Sequence, residues 1–172
     1  TTTVAVHVEQ QQWGVPTDQK PLFFYASDVP QLARDRIEET TLLATQYWPN
    51  HGPLEVWVTG IKPAPIIEMV TDYCTRRVDL KQMDKFVCLD ENRNGTFEEF
   101  RKWSAIFQRY GENYSQGVAS DTGKYGFHEI VLSYPFGFTD AAPELAAKYQ
   151  QLIFHEYFHI VQGAAIPSNA DT

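Results

Sequence analysis

The residues with the most chemical potential in this 172-residue chain stand together near its end, in the run His155-Glu156-Tyr157-Phe158-His159. On a helix, residues four apart lie one turn apart on the same face, so both imidazoles reach a single ion. Zinc accepts imidazole nitrogen at ~2.0–2.1 Å in tetrahedral geometry and is the metal this spacing suits. Glu156, next to the first histidine, is placed to meet a water on the metal without ligating it. Zinc lowers the pKa of such a water toward ~7, and the carboxylate takes its proton as it attacks a carbonyl. His155 and His159 are therefore candidate metal ligands, and Glu156 is the candidate catalytic base.

A helix must carry this run. Thr139 or Asp140 reads as its cap, with Pro143 and Glu144 in the first turn, where both are favourable. Leu145, Tyr149, Leu152, Phe154 and Ile160 supply its core face, and Gly163 is a natural C′ residue. Upstream, Val4, Val6 and Val8 alternate with smaller or polar residues, the period-2 signature of a strand. Leu22 to Tyr25 reads as a short buried strand. Asp28 reads as the N-cap of a helix that uses Val29, Leu32, Ala33, Ile37, Leu43, Ala44 and Tyr47 and ends at Pro49. Leu54, Val56 and Val58 form the next strand, and a right-handed crossover places the helix on one sheet face. Between about 62 and 125 the pattern changes to short helices and polar loops and reads as an insertion. Pro65 to Arg76 and Thr96 to Tyr110 look helical, the second opened by a Thr96/Glu99 capping box. Gly111 to Gly126 reads as a surface loop, and Phe127 to Tyr134 as one more strand.

With these residues in place, the chain resembles the zincin metallopeptidases, and within them the gluzincin (peptidase MA-like) branch. The resemblance spans residues 20–163: strand, backing helix, strand, insertion, edge strand, motif helix. It implies an α+β fold, in which a small mixed sheet carries a backing helix and the active-site helix. It also implies peptide or protein substrates that pair with the edge strand, here Phe127 to Ser133. The metzincin branch wants Gly three residues after the second histidine and a ligand six after it; Gln162 and Ala165 stand there instead. A gluzincin third ligand lies on a following helix. Among the 13 residues after His159 the only acidic one is Asp171. The resemblance thus implies a single N-terminal subdomain, 1–172, that packs on a C-terminal subdomain beyond this sequence.

Asp90-Glu91-Asn92-Arg93-Asn94-Gly95 resembles the start of a calcium loop, with oxygen donors at Asp90, Asn92 and Asn94. Arg101 occupies the place of the closing bidentate Glu, and Asn/Asp/Gly clusters before a helix are ordinarily turns. His7, His51 and His128 have no tie to the motif, and Trp13, Trp48, Trp57 and Trp103 read as packing residues.

Cys74 and Cys88, with 13 residues between them, are expected to form a disulfide in an oxidising compartment. Together with sequons at Asn94 and Asn113, they suit a secreted protein. Thr1 in place of Met suits a mature or excised segment. At 43% hydrophobic the chain can bury a core, and a net charge of −8 argues against nucleic acid as a partner. No apolar run approaches the roughly 18 residues that span a bilayer. The leading expectation is an extracellular zinc endopeptidase or aminopeptidase. The alternatives are an inactive zincin-fold binding module and a calcium-stabilised interaction domain.

Overall fold

Three short segments rich in apolar and aromatic residues, Leu22–Tyr25 (β1), Leu54–Thr59 (β2) and Phe127–Ser133 (β4), pair in parallel through the centre of the molecule. They are seen in a computed structural model that describes residues 15–92, 95–102, 117–122, 127–133 and 143–165, with only the backbone described at 117–122 and 143–145. A fourth strand, Gly117–Thr122 (β3), pairs antiparallel with β4, and the sheet order is β1-β2-β4-β3. The helices are Gln31–Tyr47 (α1), Pro63–Asp79 (α2), Lys85–Asn92 (α3), residues 96–102 (α4) and Pro143–Ala165 (α5). The architecture is mixed α and β, with a small sheet between helices. The strand expected at Val4 to Val8 and the helix over 103–110 lie outside the described residues.

Every residue of β2 and of β4 is buried. Side chains alternate between faces along a strand, so each strand feeds two cores. Tyr25, whose sheet neighbour is Val58, gives its hydroxyl to Glu38 on α1 at 3.1 Å. That contact places α1 over the face that carries Val56, Val58, Ile130 and Leu132. The other face carries Trp57, which stacks on Phe24 with centroids 4.1 Å apart and meets Tyr73 of α2 and Phe97 of α4 edge-on. α2 and α4 therefore cover the opposite side from α1.

That second face also holds charge. Glu55 and Glu129 are direct neighbours across β2 and β4, and both are buried. Glu55 accepts hydrogen bonds from Trp57 Nε1 at 3.0 Å, from Arg76 Nε at 2.8 Å and from the fully buried Arg77. The Arg77 guanidinium lies 3.9 Å from the Phe127 ring centroid and 4.9 Å from that of Tyr73. Burial pushes the Glu129 carboxyl up to about 7, against the opposing pull of a Tyr73 hydrogen bond and the Arg77 charge.

Asp28 differs from its expected role. Helix α1 begins after Pro30 with no side-chain cap. The Asp28 carboxylate instead accepts the backbone N–H groups of Ile61 and Lys62, each at 2.9 Å, and so ties the β1–α1 turn to the end of β2. Gly60 makes this possible, since a Cβ there would stand 1.9 Å from Asp28 Oδ1. The expected Thr96/Glu99 box is also replaced. The carbonyl of Gly95 accepts the Glu99 N–H at 3.1 Å, which puts Thr96 inside the helix.

Cys74 of α2 and Cys88 of α3 are disulfide-bonded and buried. Asp84 caps α3, accepting from the Phe86 and Val87 N–H groups at 2.8 and 3.3 Å. The bridge thus staples a helical hairpin on the outer layer. No helix of the described residues is long and apolar enough to cross a membrane.

Two outcomes follow from this packing. The bridge closes a loop of about 15 residues, so Cys74→Ala/Cys88→Ala should lose about 3 kcal/mol of stability, read by urea unfolding. Unchanged stability would mean that the loop is already ordered in the unfolded chain. Glu129 binds its proton more tightly folded than unfolded, because its value of about 7 exceeds the ordinary 4.5. Its contribution is therefore complete below about pH 4.5 and is lost as pH rises through 7. Glu129→Gln should flatten that decline and raise stability at pH 8 by on the order of 3 kcal/mol. Equal pH slopes for the two proteins would contradict it.

Candidate metal site on helix α5

Helix α5 is amphipathic in a way that settles which residues face out. Tyr149, Ile153, Glu156, Tyr157 and Ile160 are buried, at the spacing of one helical face. The helix lies against β3 and β4 and against α1. Two tyrosine hydroxyls pin it there: Tyr149 donates to the Ser133 carbonyl and Tyr157 to the Trp48 carbonyl, each at 2.9 Å. Burial pushes the Tyr157 hydroxyl up to about 12, so it stays protonated and donates at any ordinary pH. The helix runs through Gly163 to Ala165, two residues past the expected stop.

With the inner face fixed, His155 and His159 are left on the exposed side. Their Nε2 atoms converge to 3.0 Å, and the ring planes stand 87° apart. Two nitrogens ~2.0–2.1 Å from one tetrahedral zinc stand roughly 3.3 Å apart. The pair is therefore within a small side-chain rotation of a two-imidazole chelate. His159 Nδ1 lies 3.0 Å from Gln162 Oε1. Sequence reasoning weighs position 162 only as a place where glycine would be diagnostic, yet its three-residue offset from His159 on one helix face is the signal for this contact. Glu156 is only 5% exposed. It points about 60° around the helix axis from His159, toward the sheet side.

Among the described residues no group of three or more His, Cys, Asp or Glu side chains gathers as a metal cage. His128 is buried in β4, His51 lies in the turn before β2, and His7 lies outside the described residues, as does Asp171. Asp90 and Asn92 both sit on α3, two residues apart and so on different sides of it. The Asn92 amide turns back to donate to the Cys88 carbonyl at 2.9 Å. Asn94 lies outside the described residues. The structure does not bring calcium donors together at Asp90 and Asn92.

Next to His155, the outer sides of α5 and the end of α1 form an apolar groove of about 570 Å³, lined by Trp48, Ala147, Phe154 and Phe158 with Gln150 and Gln151. Trp48 packs on Phe154 and Phe158, with centroids 6.1 and 5.4 Å apart. Phe158 remains 40% exposed. The expected edge strand, Phe127 to Ser133, proves to be interior. The strand at the sheet's end beside α5 is β3, in the stretch whose composition suggested a loop.

Comparison with protein-family models, with curated proteins and with solved structures finds no match to this chain.

Proposed function

We propose that this chain carries the zinc-binding and catalytic residues of a secreted metallopeptidase. The observation that supports this most strongly is the convergence of His155 and His159 Nε2 to 3.0 Å on the exposed face of a helix whose inner face is packed. The donor set suits zinc: two imidazoles, one turn apart, aimed at one point. A catalytic zinc takes three protein ligands and keeps an open position. The third would come from outside the described residues.

A zinc held here supplies Lewis acidity, acidifying water and polarising a carbonyl. The chain's own residues do the rest. His155 and His159 hold the ion at the surface, where a substrate reaches it. Glu156, one residue from the first ligand, takes the proton from the attacking water and returns it to the leaving amine. Among the described residues, strand β3 is the end strand of the sheet beside α5, with one side of its backbone ladder paired to β4. An extended peptide can add to such an edge through main-chain hydrogen bonds, on the strand against which α5 packs. The Cys74–Cys88 bridge agrees with an extracellular setting, since such bonds persist in oxidising compartments.

Zinc content and peptide turnover test this reading. His155→Ala or His159→Ala should remove bound zinc, measured by elemental analysis after dialysis against trace metal. Stoichiometric zinc surviving either change would refute the site. Glu156→Gln keeps the side-chain shape and removes the base. It should leave zinc content unchanged and lower turnover of a peptide library by 10²-fold or more. Near-normal turnover in that variant would move the base elsewhere. Zinc binding with no turnover, in a protein that carries the third ligand, would favour a zincin-like binding module over an enzyme.

A further inference from the structure

We infer that Gln162 is a positioning residue: its side-chain oxygen holds the proton of His159 on Nδ1 and so leaves Nε2 as the ligating lone pair. The inference rests on the zinc reading of the same site. A neutral imidazole carries one proton on two nitrogens, and only the bare nitrogen can bind a metal. Gln162 Oε1, 3.0 Å from His159 Nδ1, is an acceptor and must be met by N–H. His159 Nε2 is then without a proton and faces the point at which His155 Nε2 also aims.

The second contact follows from the first. The two Nε2 atoms are 3.0 Å apart, a hydrogen-bond distance that needs one proton between them. With His159 Nε2 bare, that proton belongs to His155. The metal-free pair is therefore asymmetric. His159 is already in its ligating form, while His155 carries its proton on Nε2 and must shift it to Nδ1 before it binds. Gln162 sits three residues after His159 on the same helix, so the α5 backbone itself sets the distance between acceptor and ring. Partners that orient ligating histidines typically change metal affinity 10–100-fold. An exposed amide stands at the low end of that range, near tenfold.

Long-range proton–nitrogen correlation NMR on the metal-free protein at pH 8 reads the tautomer directly, alongside zinc affinity by chelator competition. In the unaltered chain His159 should show its proton on Nδ1. Gln162→Leu should move it toward Nε2 and weaken zinc binding about tenfold. Gln162→Glu, which keeps an acceptor oxygen, should restore both. A His159 proton found on Nε2 in the unaltered chain, or a tautomer indifferent to Gln162→Leu, overturns the inference. The expected tautomer shift in a chain that binds no zinc would support the Gln162 contact while refuting the metal reading, so the two failures are distinct.

Discussion

Helix α5 must bury one face, and that requirement fixes the rest of the site. Ile153, Tyr157 and Ile160 are apolar enough that leaving them in water would cost several kcal/mol together. Once they are packed against the sheet and α1, rotation of the helix about its axis is closed off. Tyr149 and Tyr157 sharpen the result, because each hydroxyl has a backbone carbonyl to reach at 2.9 Å, and a turn of the helix by one residue would leave both donors buried without partners. The two histidines, offset from this face, then have nowhere to go but outward. Their convergence needs no further device than the 3.6-residue repeat.

The opposite side of the sheet is built on a different balance. Two carboxylates and a guanidinium are buried beneath α2, and burying charge is costly unless each group is paired. Glu55 is fully engaged, by Arg76, Arg77 and Trp57. Arg77 has two nitrogens, Nε and Nη1, without hydrogen-bond partners among the described residues, but its guanidinium lies against the Phe127 and Tyr73 rings, whose faces attract a cation. Glu129, the sheet neighbour of Glu55, relieves the repulsion between them below about pH 7, where burial holds its proton. This layer ties α2 to the two central strands, and the disulfide ties α3 to α2.

The elements with strong periodicity were legible in the sequence: β1 from a short apolar run, β2 from the alternation of Leu54, Val56 and Val58, α1 and α5 from 3.6-residue patterns, and the pairing of the two cysteines. The histidine geometry was legible too, since it follows from helix pitch alone. Other features were not, for physical reasons. Strand β3 reads Gly-Val-Ala-Ser-Asp-Thr, small and polar, because an edge strand needs little side-chain packing and is held by its ladder to β4. Its misreading also displaced the sheet edge by one strand. Asp28 before a proline-led helix has the composition of a cap. Its actual partners are the N–H groups of Ile61 and Lys62, more than thirty residues away, and no local rule reports that distance. Gln162 escaped notice because a glutamine on an exposed helix face is ordinarily solvated.

The packing of α5, which carries the histidine pair, beside β3 is a consequence of chain order. Strand β4 follows β3 in the chain, and antiparallel pairing sets the two strands side by side. Strand β4 then leads, through residues 134–142, into α5. Tyr149 meeting the Ser133 carbonyl holds the first turns of the helix beside the end of the strand that precedes it. A helix that packs across β4 and is flanked by α1 toward β1 has only the β3 side left to border. The face that looks away from the sheet carries His155 and His159, while Glu156 lies between that face and the strands. Helix α5 therefore borders β3 while its buried Glu156 lies between the packed face and the exposed histidine pair. This placement follows from the antiparallel pairing of β3 with β4 and the burial of one helix face.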